Sequence, residues 1–141
     1  MGEQSAQQAT YARIPLCIAV IVIVGALLLL VGAILSKADP TLLTNNSPMT
    51  DAARVYADYT FARDLALAMM LLLLLFVRAS RMLAGFMVLV ALIQVIDILN
   101  DLARGAFVLI PGLLLFAILF LIGAWQLSGR PLWQVAAWRE A

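Results

Sequence analysis

The stretch "IPLCIAVIVIVGALLLLVGAIL", Ile14 to Leu35, runs for 22 residues without a single charged side chain. A helix needs about 20 apolar residues to cross roughly 30 Å of hydrocarbon, and this run meets that requirement outright. Pro15 sits where the first turn of a helix tolerates it. Three further apolar runs follow, over residues 60–78, 82–102 and 107–127. The expected fold is therefore all-α, an integral membrane four-helix bundle in one domain spanning residues 1–141. An outer loop is expected over 36–59 and an interfacial helix over 130–141, where Trp133 and Trp138 lie.

Composition agrees. Hydrophobic residues make up 65% of the chain and charged ones 12%, against nearer a half and a quarter in soluble domains. The net charge of +1, with basic residues dispersed, gives no purchase for nucleic acid. The chain has no histidine, which removes bis-His haem ligation, a His-based zinc site and a Ser-His triad. No cofactor and no metal are expected. Cys17 is the one cysteine, so neither an intrachain disulfide nor a CxxC pair can form. Its expected role is that of a small packing residue in the first span.

Could the first span be a cleaved leader? Ser36-Lys37-Ala38 offers small residues suited to a signal peptidase, but the apolar region exceeds the usual 7 to 15 residues. A retained anchor is the expectation. Ala19, Ala26 and Ala33 recur every seven residues, with Gly25 and Gly32 beside them, as in a close-packing face for another helix. Pro40, Asn45-Asn46 and Pro48 mark turns in the loop, and Thr50 or Asp51 reads as an N-cap. The second helix thus begins outside the bilayer and runs straight in.

Four spans place both termini on one side. The short "RASR" turn, residues 78–81, carries two arginines and no acid, and short loops are where positive charge marks the cytoplasmic side best. Trp125, Trp133 and Trp138 gather at the C-terminal end as one interfacial belt. Both termini are expected in the cytoplasm. Eight arginines against one lysine hint at a high-GC bacterial genome, hence the inner (plasma) membrane.

Chemistry is concentrated in "QVIDILNDLARG", residues 94–105. Gln94, Asp97, Asp101 and Arg104 are spaced three, four and three apart on one helical face, with Asn100 at its margin. Tyr56, Tyr59 and Arg63 follow the same spacing on the second helix. Arg63 lies 15 residues before Arg78 and Asp97 lies 16 after Arg81. At a rise of about 1.5 Å per residue, both stand some 22 to 24 Å above the turn, inside the bilayer and at matching heights. Asp64 points off this face, toward the first helix or a water-filled mouth. Asp101, at about 30 Å, is expected to meet water or headgroups.

A carboxylate or guanidinium costs roughly 2.5 to 3.5 kcal/mol at the centre of a spanning helix, and less toward its edge. Three readings of the stripe stay open. Arg63 and Asp97 lock two helices in register, or they belong to a polar pocket open to the outer side, or a tilted helix lets them snorkel to the headgroups. The candidate pocket residues are Arg63, Asp97, Gln94, Asp101, Asn100 and Tyr59.

The segments "ARDLALAMMLLLLL" and "RASRMLAGFMVLVALIQVIDIL" resemble the DoxX-like superfamily of small four-helix membrane proteins, including its branch of domains of unknown function. In similar proteins an arginine heads the second helix and an acid falls late in the third; here these are Arg63 and Asp97. This chain has Leu65-Ala66-Leu67-Ala68 where similar proteins often carry glycines. The resemblance implies a four-helix membrane fold. Its functions are mixed, spanning quinone-linked oxidoreductase subunits and chaperone-like accessories.

The function expected first is a non-catalytic accessory or binding subunit, using the pocket for a lipophilic ligand or partner. An enzyme acting on a quinone, isoprenoid or lipid is the alternative, with Asp97 as acid or base and Arg63 and Tyr59 as donors. An arginine partner for Asp97 instead favours a structural role. A small transporter is the third reading, against which stands the absence of charge between Arg13 and Lys37. The candidate partners are the lipid bilayer, a protein subunit or second copy of the chain, and a lipophilic small molecule.

Overall fold

A computed structural model describes residues 14–39 and 50–129. Four α-helices account for nearly all of them: α1 (Leu16–Ala38), α2 (Asp51–Phe76), α3 (Ser80–Arg104) and α4 (Ile110–Ser128). Their lengths run from 19 to 26 residues, roughly 28 to 39 Å of helix. All four are long and apolar enough to cross a membrane. The expected 130–141 helix, with Trp133 and Trp138, lies outside the described residues, as does most of the 36–59 loop.

Local signals set the helix ends. Thr50 caps α2, its hydroxyl accepting the Ala53 amide at 3.2 Å. The second helix therefore starts nine residues before the apolar run begins at Thr60, as the N-cap signal implies. Pro111 stands in the first turn of α4 and moves the start of that helix to Ile110, three residues past Phe107. α2 stops at a turn in which Arg78 adopts the left-handed conformation, φ 57°. The Ala79 and Arg78 amides bond back to the Leu74 and Leu75 carbonyls, both at 3.1 Å. Gly105 closes α3 in the same way at φ 72°, with no Cβ to strain.

α1 packs chiefly on α2, and α3 on α4; contacts between the two pairs are sparser. The core lies in the half of the bundle near the 78–81 turn. It joins Ile18, Val22 and Ala26 to Leu67, Ala68 and Leu71, and to Leu83, Ala84, Met87, Val90, Ala91, Ala117, Phe120 and Ala124. Alanine and glycine let the helices approach closely. A Cβ on Gly25 would meet the Phe120 ring at 2.3 Å, and one on Gly123 would meet Met87 at 2.6 Å.

The stripe read from α1 thus does face a helix: Gly25, Ala26 and Ala33 are buried, Ala19 and Gly32 half-buried. α1 supplies core residues and is an integral part of the bundle. Cys17 corrects one expectation: it is exposed, because it stands next to Ile18 on the outward side of the helix. The outer surface is a coat of leucine, isoleucine and valine on every helix, as the lipid-facing side of a membrane bundle requires.

Candidate functional site

Above the core, in the half of the bundle distal to the 78–81 turn, the two helix pairs enclose a cavity of about 380 Å³. All four helices line it, and its walls are chemically unlike. α1 and α4 contribute Gly25, Leu28, Leu29, Gly32, Gly112, Leu113 and Phe116, all apolar. α2 and α3 contribute Tyr56, Thr60, Arg63 and Asp64 opposite Gln94, Asp97, Asp101 and Arg104. Leu67, Val90 and Ile93 close the deeper end.

The expected pair between α2 and α3 is present. Arg63 donates from Nη1 to Asp97 Oδ1 at 3.1 Å, while Nη2 stands 3.1 Å from Oδ2, a two-pronged contact that fixes their relative height. Its Nε donates to Asp64 Oδ1 at 2.9 Å. One guanidinium therefore serves two carboxylates. Asp64 is buried and faces the first helix: its Oδ2 lies 3.7 Å from where a Cβ on Gly32 would stand. That settles its direction between the two expected. Farther along α3, Arg104 Nη2 donates to Asp101 Oδ1 at 2.6 Å, and its Nε to the Asn100 carbonyl at 3.3 Å. Nearer the helix ends, Lys37 of α1 pairs with Asp58 of α2, tying the first helix pair together.

Two of the six candidate residues fall outside the cavity. Tyr59 is 73% exposed and points away from it; Tyr56 and Thr60 line the wall instead. The reason is angular. At about 100° per residue, Tyr56 stands two turns from Arg63 and nearly eclipses it, whereas Tyr59 lies off the other edge of the stripe. Asn100 is exposed too, one residue before the inward Asp101, and offers only its backbone carbonyl to Arg104.

Asp101 and Asp97 also exchange the environments expected of them. Asp101 is buried, 7% exposed, and Asp97 only half-buried. Height along the helix does not decide burial here. Asp101 is seven residues, two full turns, from the buried Gln94 and shares its inward direction, while Asp97 is rotated toward α2 and Arg63. Thr60 and Asp64, passed over in the sequence, complete the α2 wall. The four-residue step from Tyr56 to Thr60 to Asp64 was the signal for them.

Gln94 is the remaining member. It is 7% exposed, and among the described residues its Oε1 is the one buried side-chain polar atom with no hydrogen-bond partner. Comparison of the chain with protein-family models, with curated proteins and with solved structures finds no match.

Proposed function

We propose that this chain is a binding protein of the bacterial inner membrane that holds a lipophilic, amphipathic molecule between its helix pairs, as an accessory to a membrane process. The observation that carries this reading is the two-sided cavity: an apolar wall from α1 and α4 faces a hydrogen-bonding wall from α2 and α3. A ligand with one polar end and an apolar body matches such walls, since ligand sites combine apolar lining with a few placed polar groups. Both termini and the 78–81 turn face the cytoplasm in this proposal, so the cavity opens in the outer leaflet. Arg78 and Arg81 in the short turn support that orientation.

Kinship with DoxX-like proteins belongs to the same proposal. Its support is the contact between Arg63 and Asp97, the two residues that carry the resemblance. The enzymatic alternative, with Asp97 as acid or base, has less support. Both carboxylate oxygens of Asp97 are engaged by one guanidinium, which leaves it poorly placed to exchange a proton with a substrate.

Native mass spectrometry of the full chain, released from a mild detergent, tests the reading. A lipophilic small molecule retained at one per chain is the expected result, and it should be lost when Leu113→Trp and Leu29→Trp fill the apolar wall. A mass that stays that of the bare chain, in wild type and variant alike, would overturn it. Retention of a stoichiometric protein subunit with no small molecule would replace the ligand by a protein partner.

A further inference from the structure

The unpaired Gln94 oxygen restricts what the cavity takes, on the reading that the cavity binds an amphipathic molecule at all. A buried acceptor with no donor loses its hydration without recovering a hydrogen bond, and such groups are rare in folded proteins. This one lines the cavity. It is also the deepest polar group on α3, one turn below Asp97 and next to Ile93. The other polar groups on the wall are occupied: Arg63 by Asp64 and Asp97, Arg104 by Asp101.

We infer that the ligand is a long-chain alcohol in the chemical sense, a molecule with a neutral hydroxyl on an apolar body, whose O–H donates to Gln94 Oε1. The charge of the head follows from its surroundings. Leu67, Val90 and Ile93 form the end of the cavity around Gln94, and an ammonium brought there loses far more hydration than a hydroxyl does. An ester or ether head has no donor and leaves Oε1 as it stands. The body then lies along Leu28, Leu29, Leu113 and Phe116, on the opposite wall.

The test uses two probes of equal size, decan-1-ol and 1-methoxynonane, added to the purified full chain in a detergent without hydroxyl groups. Thermal stability is followed as a function of probe concentration. The alcohol should stabilise the wild type at roughly tenfold lower concentration than the ether, the factor that one hydrogen bond to a buried acceptor is worth. In Gln94→Met, which keeps the length of the side chain without its acceptor, both probes should act at the concentration of the ether. The unliganded variant should melt no lower than the wild type, because it no longer buries an unpaired acceptor. Equal action of the two probes on the wild type would show that water fills the place and would overturn the inference while leaving the cavity as a binding site. A preference for the alcohol that survives in Gln94→Met would overturn it equally, by moving the hydroxyl to another group. Saturable stabilisation by neither probe would overturn this inference and the binding reading together. Should Gln94→Met fail to fold, the alcohol-to-ether ratio on the wild type still decides.

Discussion

Arg63 has two carboxylate partners, and Asp97 has one cationic partner, so the two sides of the pair are not equivalent. Asp97→Asn leaves Arg63 still bonded to Asp64, whereas Arg63→Gln strands two carboxylates at once. Arg63→Gln is therefore expected to cost the more, roughly 2 to 4 kcal/mol against about 1 to 2 for Asp97→Asn. The double variant should recover part of the sum, because two neutral amide side chains then face each other between α2 and α3. Thermal melts of the three variants in detergent read both claims. Strictly additive losses would mean that the contact carries no coupling. Asp101, buried and paired with Arg104, belongs with these groups and not with a solvated helix end.

At the scale of the helices, the close approach of α1 and α4 depends on Gly25. A methyl there would stand 2.3 Å from the tip of the Phe120 ring and 3.1 and 3.2 Å from the atoms beside it. The ring is fully buried and has no free space to retreat into. Gly25→Ala is expected to destabilise by roughly 1 to 3 kcal/mol, in the range for overpacked cores. In a Phe120→Leu background the same substitution should cost little, a difference that melting temperatures reveal directly. A neutral Gly25→Ala in the wild-type background would show that the helices separate freely there.

The helices themselves were legible in the sequence because uninterrupted apolar length has few other uses, and the Thr50 cap and the Arg63–Asp97 register followed from counting residues. The azimuth of each polar residue was harder to read. Tyr59, Asn100 and the reversed burial of Asp97 and Asp101 all turn on roughly 40° to 100° of rotation about a helix axis. Residue spacing fixes rotation only relative to a neighbour whose own direction is known, and none was. The orphaned oxygen of Gln94 was beyond sequence reasoning altogether, since it depends on what the other three helices fail to offer it.

For the molecule as a whole, the proposed orientation has a direct check. Single cysteines at Ser80 and Asn46, in a background where Cys17 is replaced, are expected to react with an impermeant maleimide from opposite faces of the membrane. Position 46 should label in intact cells, and position 80 only after the membrane is opened. Labelling of position 80 from outside would invert the bundle and place the cavity mouth in the inner leaflet. The coat of exposed apolar side chains on all four helices is indifferent to that outcome. Orientation rests on the short turn and not on the packing.

The local partnership of Arg63 with its own neighbour, Asp64, bears on how the chain is made. A ribosome delivers α2 to the bilayer before α3 exists, so Arg63 and Asp97 cannot meet at the moment of insertion. With Asp64 beside it, Arg63 enters already neutralised, and the second span crosses the translocation machinery as a near-uncharged cylinder. α3 follows with its own internal pair, Asp101 and Arg104, and carries a single unmatched carboxylate. That carboxylate arrives to find the guanidinium waiting. Chain order and charge order coincide, and biogenesis never leaves a bare cation to be pulled through lipid.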